Sequence, residues 1–150
     1  AELDDALEAI AGAGMDGVIV SNTTIGREGL RSPTAGEPGG LSGEPLRRRS
    51  TELVRTVARR TRGRLPIIAS GGVMNGEHAC EKLDAGATLV QLYSGMIYAG
   101  PGLVRLAVEA TASPRRVPLV APWGAQPTYG HAAGLARGAG EAAGSPVKAA

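Results

Sequence analysis

The segment Leu65-Pro-Ile-Ile-Ala-Ser-Gly-Gly72 decides the fold class of this chain. Its apolar residues form a short continuous run without alternation, which is typical of a strand in a parallel sheet that is covered on both faces. The glycine pair ends the strand. Asn75 then predicts the N-cap of a helix that continues to about Leu83. We therefore interpret the segment as one strand–helix unit of an α/β fold.

The same alternation of strands and helices extends to both sides of this segment. Upstream, apolar residues at helical spacing over 3–10 precede a short strand, Val18–Val20, and a second helix begins near Leu46 after a long loop. Downstream, Leu89–Leu92 predicts a third strand, and Pro101 opens a helix as a first-turn proline. Strands that alternate with helices predict a parallel sheet. We expect three parallel strands with flanking helices over residues 1–113.

The composition limits the classes of function. The chain has 150 residues, 43% hydrophobic residues and a net charge of +2, which gives no argument for nucleic acid binding. The arginine-rich stretch over 47–64 is interpreted as a solvated helix surface. A single cysteine, Cys80, excludes an internal disulfide and favours a reducing, cytoplasmic compartment, and we expect it to be a packed side chain. No apolar run is long enough to span a bilayer.

Residues 114–150 differ in character from the rest of the chain. More than half of them are Ala, Gly or Pro, and no periodicity is present. Such a segment buries too little apolar surface to offset the entropy of ordering it. We predict a disordered tail.

Small polar residues and glycines follow all three predicted strands. In parallel α/β folds, ligands bind at the carboxyl ends of the strands. Glycine amides and helix N-termini there can bind an anion. The loops after the second and third strands therefore predict a phosphate site, formed by Gly71, Gly72, Tyr93 and Ser94. The alternative is that the glycines only turn the chain.

The first strand is followed by Ser21-Asn-Thr-Thr24 and a long loop. Asn22 and Thr23 offer amide and hydroxyl groups to a ligand with carbonyl, amide or carboxylate edges, or they only cap the strand. The loop of about 22 residues exceeds typical connections and is either a lid, a binding loop or flexible. It ends at Gly39–Gly43, where an anion could be held. His78 and His131 have no partners at ligand spacing, so no metal site is expected.

Five segments, in order, resemble the dihydroorotate dehydrogenases, and specifically the quinone-linked class 2. They are Asp16–Thr24, Gly39–Leu46, Pro66–Val73, Ala85–Tyr93 and Tyr98–Pro101. The resemblance covers about residues 1–112. It implies the C-terminal part of a TIM (β/α)8 barrel that binds FMN and oxidises dihydroorotate to orotate in pyrimidine biosynthesis, with quinone as acceptor. The intact class 2 enzyme would be peripheral to the cell membrane.

The resemblance also implies roles for individual residues. Asn22 and Thr23 would contact the substrate, and Ser21 would neighbour the flavin. The FMN-binding residues, chiefly at the phosphate, would be Gly43, Gly71, Gly72, Tyr93 and Ser94. No catalytic residue is identified, because the base would lie in the family's first five strands, which this sequence lacks.

We therefore expect a fragment without turnover of its own, which could self-associate through open sheet edges. One alternative is a non-catalytic half-barrel that binds a phosphate or self-associates. Another is a different FMN barrel, such as a dihydrouridine synthase, although Ser21–Thr24 favours the dihydroorotate dehydrogenases.

Overall fold

The structure is a computed structural model that describes residues 2–112. In chain order its elements are α1 (Glu2–Gly12), β1 (Val18–Val20), the 3-10 helix η1 (Glu44–Leu46), α2 (Arg47–Arg60), β2 (Ile67–Ser70), α3 (Gly76–Asp84), β3 (Leu89–Gln91), α4 (Ser94–Ala99) and α5 (Gly102–Thr111). The tail predicted over 114–150 lies outside the described residues.

The three strands form one parallel sheet in the order β1-β2-β3. Val20 is in register with Ala69, and Ala69 is in register with Val90. The carboxyl ends of all three strands therefore lie at one edge of the sheet. This confirms the prediction of three parallel strands with flanking helices.

The main core lies between β2 and α2. Val54, Val57, Ile67 and Ala69 are at most 1% exposed and pack in one cluster with Val20. Full burial of an aliphatic side chain of this size contributes about 1.5–3 kcal/mol. A second, smaller cluster joins α3 to α5. Helix packing on β2 is thus the main source of stability in the described residues.

The expectation that the strands are covered on both faces is wrong for the outer two. Ile19 in β1 and Leu89 in β3 are 60% and 59% exposed. Each lies beside a less exposed residue of its strand, the buried Val20 and the half-buried Val90. Ile19 and Leu89 are both in register with Ile68, so they lie on the same face of the sheet, which no described helix covers. The central strand is covered better, with alternating buried and half-buried residues.

Two local details differ from the sequence prediction. Helix α4, Ser94–Ala99, was not predicted, since six residues are too few to display a helical period. Pro101 lies at the N-cap of α5 and not within its first turn. Asn75, in contrast, caps α3 as predicted, because its side chain accepts a hydrogen bond from the His78 amide at 2.9 Å. Within residues 2–112, no helix combines the length and the apolar character that crossing a bilayer requires.

Candidate ligand site at the carboxyl ends of the strands

A cavity of about 150 Å³ lies at the edge of the sheet where the three strands end. It is lined by residues that follow β1, β2 and β3, together with the end of the long loop. All eight residues singled out from the sequence are among them: Ser21, Asn22, Thr23, Gly43, Gly71, Gly72, Tyr93 and Ser94. The parallel register brings them together, although they span more than 70 positions of sequence.

The glycine pair after β2 packs directly on the start of α2. Gly71 and Gly72 have φ values of +106° and +74°, which residues with a Cβ rarely adopt. A Cβ at Gly72 would lie 2.3 Å from the Arg47 Cα and 2.5 Å from its nitrogen, and one at Gly71 would lie 2.8 Å from a methyl group of Leu46. The glycines therefore do turn the chain, as the simpler interpretation held. They also bring its backbone to the cavity wall.

The long loop after β1 folds back on itself and returns to the cavity. Thr24 and Leu41 pair in an antiparallel bridge, with N–O distances of 3.0 and 2.7 Å. Arg27 donates to the carbonyl oxygens of Glu37 and Gly39 across the same loop. Among the alternatives left open by the sequence, this geometry fits a binding loop, since its final residues line the cavity.

The end of this loop contacts the start of α4. The hydroxyls of Ser42 and Ser94 are 2.7 Å apart, and a Cβ at Gly43 would lie 3.7 Å from the Ser94 Cβ. Gly43 is buried and has a φ of +80°. The first turn of α4 also packs tightly on the loop after β2, because a Cβ at Gly95 would lie 2.1 Å from the Val73 carbonyl oxygen. The three loops thus form one continuous wall.

Ser21, Asn22 and Thr23 form the rim on the β1 side. The peptide bond between Val20 and Ser21 is cis. The Asn22 Oδ1 accepts a hydrogen bond from the Thr23 amide at 2.8 Å, as expected of a turn residue. Both side chains are nonetheless exposed at the cavity. Tyr93, on the β3 side, is 73% exposed.

The sequence interpretation missed a charged cluster behind the glycine pair. Arg47, expected to be solvated, is half-buried and pairs with Glu81 and with Glu44, the latter at 3.4 Å. The bond to Glu81 raises the pKa of Arg47, and the same bond lowers the pKa of Glu81. Lys82 is fully buried beside them. The sequence contains one indication that Lys82 is buried: Lys82 follows Ala79 at i, i+3, on the apolar face of α3.

His78 contacts the loop after β2. It is 6% exposed, and its Nδ1 lies 3.2 Å from the Gly72 carbonyl oxygen and 3.3 Å from the Met74 amide nitrogen. The Cys80 sulfur donates to the Ala110 carbonyl oxygen at 3.3 Å, so the half-buried thiol packs between α3 and α5. In the part of the chain that the structure describes, no group of three His, Cys, Asp or Glu residues could hold a metal ion.

Comparison with known proteins identifies the family. The family model described as dihydroorotate dehydrogenase matches residues 1–110. The chain belongs to the dihydroorotate dehydrogenase family. Among curated relatives, the dihydroorotate dehydrogenase (quinone) of Pseudomonas paraeruginosa is 57% identical over 110 residues, which cover 72% of this chain and 32% of that protein. The Pseudomonas putida protein of the same name is 54% identical over 110 residues.

Solved structures of this family agree. Dihydroorotate dehydrogenase from Eimeria tenella, in complex with ferulenol, matches with a TM-score of 0.67 and 44% identity over 71% of this chain and 28% of that one. The ligand-free Eimeria tenella structure matches equally well. The curated matches confirm the quinone-linked resemblance and disfavour the dihydrouridine synthase alternative. The chain spans about a third of the length of its curated relatives, 32%.

Proposed function

We propose that this chain supplies the phosphate end of an FMN site and part of the dihydroorotate site of a dihydroorotate dehydrogenase. In this proposal it is the C-terminal part of a (β/α)8 barrel, and the remaining strands complete both the sheet and the site. The observation that carries the proposal is that one cavity at the carboxyl edge is lined by all eight expected residues.

The cavity fits the phosphate end of FMN better than the whole cofactor. Its volume of about 150 Å³ is below the roughly 300–1,000 Å³ of pockets that enclose a drug-sized ligand. Its wall combines three glycines of positive φ with the Ser94 hydroxyl. Glycine backbone and hydroxyl groups are suited to a phosphate, because no Cβ keeps the anion at a distance. The rest of the flavin would extend along the open edge.

The remaining groups suit substrate positioning. The Asn22 amide and the Thr23 hydroxyl can donate to the carbonyl and carboxylate oxygens of dihydroorotate or orotate. Ser21, at the end of β1, would neighbour the flavin. When bound, FMN supplies the redox chemistry by accepting hydride from the substrate, and the protein groups hold both partners in register.

In this proposal the general base comes from the remaining strands of the barrel. Among the described residues that line the cavity, none has a carboxylate, imidazole or amine. General acid–base catalysis contributes about 10²–10⁴-fold in enzymes, so a site that lacks the base should turn over negligibly. We therefore propose that the chain alone binds without catalysing. Quinone reduction, and a place at the membrane surface, would belong to the intact enzyme.

Titration of FMN with the full chain tests this proposal. We expect quenching of flavin fluorescence that saturates, and no reduction of a dye when dihydroorotate is added. Gly72→Ala should weaken the quenching, because the new Cβ would collide with the Arg47 backbone. Gly36→Ala is the matched control, since open space surrounds that position.

Three outcomes are informative. Saturable quenching that Gly72→Ala weakens and Gly36→Ala leaves unchanged supports the FMN half-site. Absence of quenching contradicts the FMN half-site. Turnover of dihydroorotate by the chain alone contradicts the proposal that this half-site lacks the general base. Self-association through the open edges of β1 and β3 stays a prediction, and the concentration dependence of the sedimentation coefficient measures it.

A further inference from the structure

Lys82 is the largest fully buried side chain in the described residues, with 0% exposure. An ammonium group is rarely buried unless each of its protons has an acceptor. The Lys82 Nζ donates to three oxygens: the Ser50 Oγ at 2.5 Å, the Thr51 Oγ1 at 2.7 Å and the Arg47 carbonyl oxygen at 3.2 Å. All three belong to the first turns of α2, so the lysine joins α3 to the start of α2.

The charge of Lys82 fixes the direction of the Ser50 hydrogen bond. An ammonium group has three donors and no acceptor, so the Ser50 oxygen must accept from it. The single proton of Ser50 is then directed to carbonyl oxygens. These are Gly71, at 2.9 Å, and Arg47, at 3.1 Å. The Lys82 ammonium is thus two hydrogen bonds from the glycine pair that lines the cavity.

The other contacts of the glycine pair leave little freedom for that loop. Gly72 packs on the Arg47 backbone, and its carbonyl oxygen lies 3.2 Å from the His78 Nδ1. The loop is therefore held by Ser50 at Gly71 and by His78 at its other end, where the Nδ1 either donates to the Gly72 carbonyl oxygen or accepts from the Met74 amide. Of these contacts, the one at Gly71 depends on the Lys82 ammonium behind Ser50.

We propose that Lys82 is a positioning residue of the anion site, which fixes the Gly71–Gly72 loop through Ser50 and places a buried positive charge behind it. The proposal rests on the function proposed above, since the anion is the phosphate of FMN. Lys82 touches neither FMN nor substrate in this scheme. It acts by holding the loop backbone in the conformation that receives the anion.

Loss of the proton from Lys82 should loosen this arrangement. A neutral amine has two donors and one lone pair, so Ser50 could donate to the lysine in place of the Gly71 carbonyl oxygen. Burial lowers the pKa of Lys82 to about 8, with Glu81 raising it and Arg47 lowering it further. We therefore expect FMN affinity to fall as the pH rises through about 8. The phosphate stays dianionic over this range, because its second pKa is about 6.

The stability of the fold should respond with the opposite sign. Between about 8 and the usual lysine value of 10.5, the folded chain binds fewer protons at Lys82 than the unfolded chain does. The free energy of unfolding therefore rises across that interval as far as this group is concerned. If Lys82 had a purely structural role, loss of its proton would change the free energy of unfolding and leave the anion affinity unchanged. A positioning role lowers anion affinity while stability increases.

Other ionisable groups lie near Lys82, and their effects on the pH dependence must be distinguished from that of Lys82. They are Arg47 on α2, Glu44 on η1, and His78 and Glu81 on α3. Arg47, with its raised pKa, and Glu81, with its lowered pKa, keep their charges from pH 7 to 9. His78→Gln is included as a further variant to separate His78 from Lys82. The fall in FMN affinity as the pH rises through about 8 should persist in it.

The test uses the full chain, with FMN as the probe, and two variants, Lys82→Met and Ser50→Ala. Lys82→Met keeps the length of the side chain and removes the charge. Its FMN Kd at pH 7 should rise about tenfold, as for the loss of one charge-assisted hydrogen bond, and its affinity should no longer change between pH 7 and 9. The double variant should be no weaker than either single variant, because both break the same connection. Arg105→Gln, an exposed cation on α5, is the charge-matched control.

A second readout does not depend on the ligand. Amide hydrogen exchange of Gly71, Gly72 and Val73, measured at fixed pH 7 without FMN, should be faster in Lys82→Met and in Ser50→Ala than in the wild type. Exchange in α5 should be unchanged. Ser50→Ala keeps the lysine, so it decides the matter if Lys82→Met does not fold by circular dichroism.

The outcomes separate the two proposals. If the wild type does not bind FMN, the proposed function fails, and loop exchange in the variants still decides whether Lys82 holds the loop. If the wild type binds FMN, but Lys82→Met keeps the wild-type affinity, the wild-type fall in affinity between pH 7 and 9 and the wild-type rate of loop exchange, Lys82 has no positioning role. Only this inference is then overturned. Additive losses in the double variant would likewise overturn the connection through Ser50.

Discussion

Replacement of Gly72 by alanine is the sharpest perturbation that the geometry offers. The added Cβ would lie 2.3 Å from the Arg47 Cα and 2.5 Å from its nitrogen, so backbone and not a flexible side chain must move. Forcing atoms into a packed site costs about 1–3 kcal/mol. The left-handed φ of +74° adds about 1–2 kcal/mol for a residue with a Cβ. We expect Gly72→Ala to lower the free energy of unfolding by about 2–5 kcal/mol.

A matched variant separates these two contributions. Gly100 has nearly the same φ, +73°, and no neighbour within 4 Å of an added Cβ. Gly100→Ala should therefore show a conformational cost without a steric one, about 1–3 kcal/mol, because the ψ of −178° places Gly100 in a region that is almost restricted to glycine. Urea unfolding followed by far-ultraviolet circular dichroism measures both variants. Equal destabilisation by the two substitutions would refute the close approach of Gly72 to α2, and with it the geometry of the cavity wall.

Three further predictions concern the core, the substrate rim and the ion pair. Val54→Ala, at a fully buried position, should lower the free energy of unfolding by about 2 kcal/mol or more, whereas the exposed Val104→Ala should change it by less than about 0.5 kcal/mol in the same urea series. Asn22→Ala should weaken orotate binding about tenfold in calorimetry, as for the loss of a direct hydrogen bond, while the affinity for FMN stays the same; an equal loss of both would contradict its assignment to the substrate. Because Arg47 lowers the pKa of Glu81, the stabilisation from this pair should be present above the usual pKa of 4.5 and be lost as the pH falls through the lowered pKa. The pair is partly exposed, so Glu81→Gln should lower the free energy of unfolding by no more than about 1 kcal/mol at pH 7. A difference in stability between Glu81→Gln and the wild type that grows towards low pH would contradict the predicted sign.

Much of the fold could be predicted because its signals are local. The strand Val18–Val20 has the bounds that its apolar run predicts. Asn75 caps α3 because a side-chain oxygen at that position reaches the third amide of the helix, which is a property of four consecutive residues. The common edge of the strand ends also follows from the parallel connection of strand–helix units. Hence the site residues at the three strand ends could be grouped from the sequence, whereas Gly43, in the long loop, was implied by the family resemblance.

What could not be predicted depends on contacts between distant residues. The Ser42–Ser94 contact joins positions 52 apart, and the Lys82–Ser50 contact joins positions 32 apart. A lysine within a helical pattern is ordinarily solvated, so nothing local distinguishes Lys82 from a surface residue except its place on the apolar face. The exposure of Ile19 has a similar origin. Its strand has the composition of a fully covered strand, and which face receives a helix is decided by packing.

The central claim is that the backbone at the ends of β2 and β3, together with Gly43, receives the phosphate of FMN. A titration of isotope-labelled full chain with FMN, followed by amide chemical shifts, tests it most directly. We predict that the largest shifts belong to the amides of Gly43, Gly71, Gly72 and Ser94, and that they saturate together with a single Kd. Saturating shifts confined to residues away from this cavity, such as those of α1 or the outer face of α5, would contradict the account.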